Sequence, residues 1–110
     1  MKKSRLGEFQ ELILMTIIVL QEEAYGMEIQ RDLEARLNER LSVGAIQTAL
    51  KRMEEKGFLV SEWGEATQKR GGKRKRIYQA TPYAHRVLRE MKDIRAQLWK
   101  AMPELGISKT

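Results

Sequence analysis

The chain contains no cysteine, which excludes disulfides and thiolate metal sites and fits a reducing compartment. Its one histidine, His85, has no second histidine or cysteine to work with in catalysis or metal binding. It reads as a surface residue early in the last helix. Glu54 and Glu55 are adjacent on a helix and do not face each other, so they are not an acid/base pair. Gly71-Gly72 lacks the Lys-Ser/Thr and helix that complete a nucleotide-binding loop. Nothing here supports an enzyme, a cofactor or a metal site. Long apolar runs are also missing: the longest, "LILMTIIVL" from Leu12 to Leu20, is nine residues with a Thr inside it, against the ~20 needed to span a bilayer. Glu8 and Glu11 upstream, with no small-residue cleavage site, argue against a signal peptide. A soluble cytoplasmic protein that does not enter a membrane is expected. At 110 residues it is one compact unit with a modest core, near the size where a partner subunit often supplies the rest.

What is present is charge, unevenly placed. Lys and Arg number 21 against 15 Asp and Glu, and "KRGGKRKR", residues 69–76, holds six of the cations with no carboxylate. Without those six the chain is balanced at 15 against 15. Such concentration points to a polyanionic partner, nucleic acid or an anionic membrane surface, with a solvated loop or targeting signal as plain alternatives.

The first helix is expected over about Glu8–Glu23, with Phe9, Leu12, Ile13, Ile17 and Leu20 at helical spacing. Leu14, Met15, Ile18 and Val19 add a second apolar face, which a short chain covers best with a second subunit. Tyr25 and Gly26 punctuate a turn before a second helix marked by Ile29, Leu33 and Leu37. A third is bounded by Ser42 as N-cap and Gly57 as its C-terminal glycine. Its narrow core stripe of Ile46, Ala49, Leu50 and Met53 leaves Gly44, Gln47, Thr48, Lys51 and Glu55 outward, with Arg52 at the edge. That face is small, polar and cationic where a helix entering a major groove makes base contacts.

"FLVSEW" (58–63) and "RIYQA" (76–80) read as two strands, and Gly71-Gly72 between them is a turn signal. Three helices followed by a basic hairpin is the order of a winged helix-turn-helix. The fold expected is therefore mainly α with a small β-hairpin. The candidate DNA-binding residues are Ser42, Gly44, Gln47, Thr48, Lys51 and Arg52 on the third helix and Lys69, Arg70, Lys73 and Arg74 on the wing, and the partner expected is double-stranded DNA. A non-specific nucleic-acid or anionic-membrane module using the same cations is the alternative.

The last helix opens with Thr81 as N-cap and Pro82 at the first helical position, and Pro103 ends it near Met102. Ala84, Val87, Met91, Ile94, Leu98, Ala101 and Leu105 repeat in a strict three-four spacing, the seam two helices use to pair. Residues 1–80 are thus read as the DNA-binding unit and 81–110 as a dimerisation helix and tail, with Leu14, Ile18, Val87, Met91, Ile94 and Leu98 at a homodimer interface. Trp99, with Leu98 and Met102, offers an apolar lining for a planar aromatic compound, with ordinary core or interface packing as the plain alternative.

"AYGMEI" (24–29), "LSVGAIQTALKRMEEKGFLVSEW" (41–63) and "KRKRIYQAT" (73–81) resemble the signature of the PadR-like bacterial transcriptional regulators, over roughly Leu6 to Leu98. The resemblance implies a winged-helix fold, dimerisation through a single C-terminal helix, repression by operator binding, and response to phenolic or other aromatic small molecules. Two positions depart from it. Gln47 stands where the family usually has Tyr in the recognition helix, and Ala84 where it usually has Gly.

Overall fold

The computed structural model describes residues 6–64 and 74–104. Helix α1, Glu8–Leu20, carries Glu8 and Glu11 in its first turn, where carboxylates suit the positive end of the helix dipole. It is shorter than the apolar pattern suggests. Gln21 takes a positive φ of 53°, and Gln21–Glu23 continue as a 3-10 turn. Thr16, buried within the apolar run, donates its hydroxyl to Leu12 O at 2.8 Å, so no polar group is stranded there.

Helix α2, Gly26–Leu37, ends at Asn38 in the left-handed region, one of the few side chains that tolerates it. Its polar face secures the loop that follows: Glu34 Oε2 accepts from Leu41 N at 2.8 Å and Gln30 Nε2 donates to Leu41 O at 2.9 Å. Helix α3, Val43–Glu55, starts as expected, with the Ser42 hydroxyl accepting from Ala45 N at 3.1 Å. It stops at Gly57, whose φ of 86° is cheap only for glycine.

Strands β1, Leu59–Trp63, and β2, Arg76–Ala80, pair antiparallel from Leu59 opposite Ala80 to Trp63 opposite Arg76. Gly64 N donates to Lys75 O and extends the ladder. A third contribution has no counterpart in the sequence pattern. Tyr25 bridges Ile77, and Tyr78 N donates to Ala24 O at 3.0 Å, so the entry to α2 is stitched to the free edge of β2.

Helix α4, Pro82–Ala101, is capped by Thr81, which accepts from Ala84 N at 3.1 Å and donates to Gly57 O at 2.7 Å. One hydroxyl therefore fixes the start of α4 to the end of α3. The helix ends at Met102 just before Pro103. Phe58 and Tyr83 stack at 5.0 Å between ring centroids, joining the residue before β1 to the first turn of α4.

The core collects Ile13, Leu14 and Ile17 of α1, Ile29 and Leu33 of α2, Ile46, Leu50 and Met53 of α3, then Phe58, Leu59, Tyr78, Ala84 and Val87. This corrects part of the expected dimer face. Leu14 has no exposed surface and Val87 almost none, so both belong to the chain's own core. The outward side of α1 is Met15 and Val19, with Ile18 half-buried. Among the described residues no helix is long and apolar enough to cross a membrane.

Candidate nucleic-acid interface

Because Ile46, Ala49, Leu50 and Met53 point inward, helical geometry turns Gly44, Gln47, Thr48, Lys51 and Arg52 to the surface, and all five are exposed. The face has two edges. On one, a carbon added to Gly26 would come within 3.0 Å of Gln47 Nε2, so Gln47 lies over the start of α2. On the other, Gly44, Thr48 and Arg52 form with Gly7, Glu8, Phe9 and Gln10 an open groove of about 550 Å³. Lys51 is one turn beyond Gln47 on the same exposed face. Ser42 is exposed too, but its oxygen is already engaged in capping α3.

The hairpin leaves the body beside the Gln47 edge. Lys75 Nζ sits 3.6 Å from Sδ of Met27, the residue after Gly26. Arg74 Nε donates to Gly64 O at 3.0 Å and its Nη2 approaches Trp63 O at 3.5 Å. Arg76 Nε donates to Ser61 Oγ at 3.0 Å, its guanidinium lies 4.9 Å from the Trp63 ring centroid, and Ser61 donates to Glu54 Oε2 at 2.7 Å. Of the run 69–76, Arg74 and Arg76 thus have partners within the hairpin itself. Arg74 to Arg76 build the base of the hairpin, with Arg74 also exposed to solvent. Lys69, Arg70 and Lys73 lie outside the described residues.

Tyr78 lies under this network, its phenol pushed above its ordinary pKa by burial, then by the nearby Glu54 carboxylate, with Arg76 opposing. Between the end of α1 and β2, a cleft of about 500 Å³ is lined by Ile17, Glu22, Glu62, Tyr78 and His85 among others. His85 is exposed at its rim.

The stretch that builds these helices and the hairpin also has known counterparts. Residues 13–90 match the model of the Transcriptional regulator PadR-like family. The chain belongs to that family. Among solved structures it is similar to a PadR family transcription regulator from Clostridium difficile, at 30% identity over 84% of this chain and 93% of that one, with a TM-score of 0.62. It is also similar to one from Eggerthella lenta, at 26% identity over 84% and 80%, TM-score 0.63. A PadR-like regulator from Bacillus cereus, at 24% identity over 84% of both chains and TM-score 0.67, shares the fold. No curated protein sequence matches.

In this PadR-like regulator the two departures from the family pattern have different surroundings. Ala84 is fully buried where α4 meets the core, so its methyl group is part of the packing. Gln47 is exposed at the α2 edge, with its amide nitrogen over Gly26. The C-terminal half of α4 leaves the body: Ile94 is 47%, Leu98 59%, Trp99 72% and Met102 49% exposed, while Met91 packs partly against the core. Of the three residues expected around an effector, Trp99 lines a groove about 530 Å³ in volume, with Glu11, Met15, Leu88 and Arg95. Leu98 and Met102 lie off it. Sequence reasoning missed the Glu11 to Arg95 ion pair beside this groove, since nothing local relates the two positions.

Proposed function

We propose that this regulator is a cytoplasmic homodimeric repressor that binds an operator through α3 and the hairpin and is released by a small planar aromatic effector. The observation that carries the reading is the exposed face of α3, where Gln47, Thr48, Lys51 and Arg52 stand clear of the core. An amide such as Gln47 can pair bidentately with adenine, and Lys51 or Arg52 with guanine. The hairpin cations supply phosphate contacts, which position the protein without reading sequence. Residues 1–80 then form the DNA-binding unit and 81–110 the dimerisation helix and tail.

Dimerisation is supported by the apolar residues that α4 leaves exposed from Ile94 to Met102, together with Met15 and Val19 on α1. On α4, Ile94, Leu98 and Met102 recur every four residues, a spacing that suits pairing with a second helix. The effector is assigned to the groove at Trp99 because an indole offers a broad face for stacking. The test is a titration of the wild-type protein against its own promoter and against random duplexes of the same length. Protection of one inverted repeat supports the reading. Equal binding to all duplexes, or binding to anionic vesicles instead, overturns it.

A further inference from the structure

The first turn of α3 is unlike the rest of its outer face. Gln47, Thr48, Lys51 and Arg52 are polar or charged, whereas Val43 and Gly44, both exposed, carry no polar side chain. Val43 is 59% exposed. A lone exposed valine calls for no explanation, but the glycine beside it does. Gly44 lies within the helix, two residues after the Ser42 N-cap. Its backbone is not in the left-handed region that would demand glycine, since Gly57 is the glycine with a positive φ among the described residues. A carbon added at Gly44 would meet, among the described residues, Ser42 Oγ alone at 3.5 Å, an ordinary contact. Alanine therefore fits, and in a helix it is the better residue, because glycine gives up more conformational freedom on folding. Nothing in the described fold asks for glycine at this position. What it provides faces outward: a turn without a side chain lets a partner approach the backbone closely.

We propose that Val43 is a specificity-determining residue that reads the C5 methyl group of a thymine in the major groove, and that Gly44 leaves the room for it to do so. This rests on the DNA-binding function proposed for α3 and the hairpin. The N-terminal residues of a recognition helix are the ones that contact base edges, and the thymine methyl is the apolar group displayed in that groove. A branched apolar side chain matches it, because contact removes both apolar surfaces from water. Val43 stands one turn before Gln47 on the same exposed face, the i, i+4 relation that makes two helical side chains neighbours. Four residues advance a helix by about 6 Å, less than two base-pair steps of about 3.4 Å each. The thymine therefore lies within about two base pairs of the base that Gln47 reads. A side chain at Gly44 would stand beside Val43 and hold the turn off the base edges.

The experiment uses the full chain and the protected repeat of its promoter, with each thymine of one half-site replaced in turn by deoxyuridine, which lacks the C5 methyl. One of these replacements should weaken wild-type binding about fourfold, the effect of returning one methyl group to water. Val43→Ser should bind the unmodified operator more weakly by a similar factor and be indifferent to that same replacement. Val43→Thr, which keeps one methyl, should retain the sensitivity. Gly44→Ala should raise the thermal midpoint by a few degrees and yet weaken the operator complex several-fold, whereas a glycine needed by the fold would lower the midpoint when replaced. Wild-type indifference to every deoxyuridine, undiminished sensitivity in Val43→Ser, or operator binding by Gly44→Ala at wild-type strength overturns the proposal while leaving the DNA reading intact. Equal wild-type binding to the operator and to random duplexes overturns the DNA reading, and the proposal with it.

Discussion

Arg95 grips Glu11 with both prongs of its guanidinium, Nη1 to Oε2 at 2.7 Å and Nη2 to Oε1 at 2.6 Å, across 84 positions of sequence. Glu11 is almost wholly buried in α1, whereas Arg95 is half-exposed on the part of α4 that leaves the body. The pair therefore ties the outer part of α4 to α1. Arg95→Ala strands a buried carboxylate. A fully buried pair broken this way costs about 3–5 kcal/mol, and the half-exposed guanidinium lowers the expected loss to on the order of 2 kcal/mol. Adding Glu11→Gln should restore much of it, because the uncompensated charge is then gone. Denaturant unfolding of the two variants checks both values.

Dimer formation is best tested where the chain's own core is not involved. Met91 packs partly against that core, so charging it would damage the fold as well as the seam. Ile94 and Leu98 are solvent-facing within one chain. Ile94→Glu with Leu98→Glu should give folded monomers with weakened DNA binding, seen by equilibrium sedimentation and circular dichroism. A wild-type monomer at tens of micromolar would sink the dimer.

An aromatic effector bound at Trp99 should quench its fluorescence while operator affinity falls in parallel. Trp63, stacked under Arg76, contributes a background that Trp63→Phe removes. If Trp99→Ala leaves the response to a confirmed effector unchanged, the groove is only a packing feature.

The phenol of Tyr78 gives an alkaline signature. Its pKa is raised in the folded chain, so the folded state keeps a proton that the unfolded chain releases near pH 10. Its contribution is fully present below about pH 10 and is lost as pH rises through the folded value. Tyr78→Phe should flatten that decline relative to wild type in unfolding curves taken on either side of pH 10.

These relationships divide by how local they are. Ser42, Gly57 and Thr81-Pro82 are readable from sequence because a cap is an interaction within three or four residues. The two strands are readable because β-branched and aromatic residues flank a glycine turn. Leu14 falls on the wrong side by pattern alone because a helix apolar nearly all round has no phase to read, and only packing chooses its inner face. Arg76 looks solvated within a basic run. Its partners Ser61 and Trp63 depend on the register of β1 against β2, which the sequence does not state. The one-residue bridge at Tyr25 and the pairing of Glu11 with Arg95 are tertiary outcomes with no local signal.

Grip and reading should separate by mutation. Neutralising Arg70 and Lys73 removes phosphate contacts, so operator and random DNA should weaken about equally and the salt dependence should flatten by roughly 0.9 per phosphate released. Arg74→Gln should add to this only modestly, since part of its guanidinium is committed to Gly64 and Trp63 carbonyls. Gln47→Ala or Thr48→Ala leaves the phosphate contacts in place. Operator affinity should then fall by about 1–3 kcal/mol per base pair no longer read, while random-DNA affinity barely moves. The two edges of α3 refine the expectation. Gln47, at the α2 edge, and Thr48, at the α1 edge, should relax specificity at different base pairs of one half-site. In a two-fold dimer the half-sites should form an inverted repeat about one helical turn apart or a small multiple of it. Sequence preference altered by the wing substitutions and untouched by the helix ones would reverse the roles assigned to α3 and the hairpin.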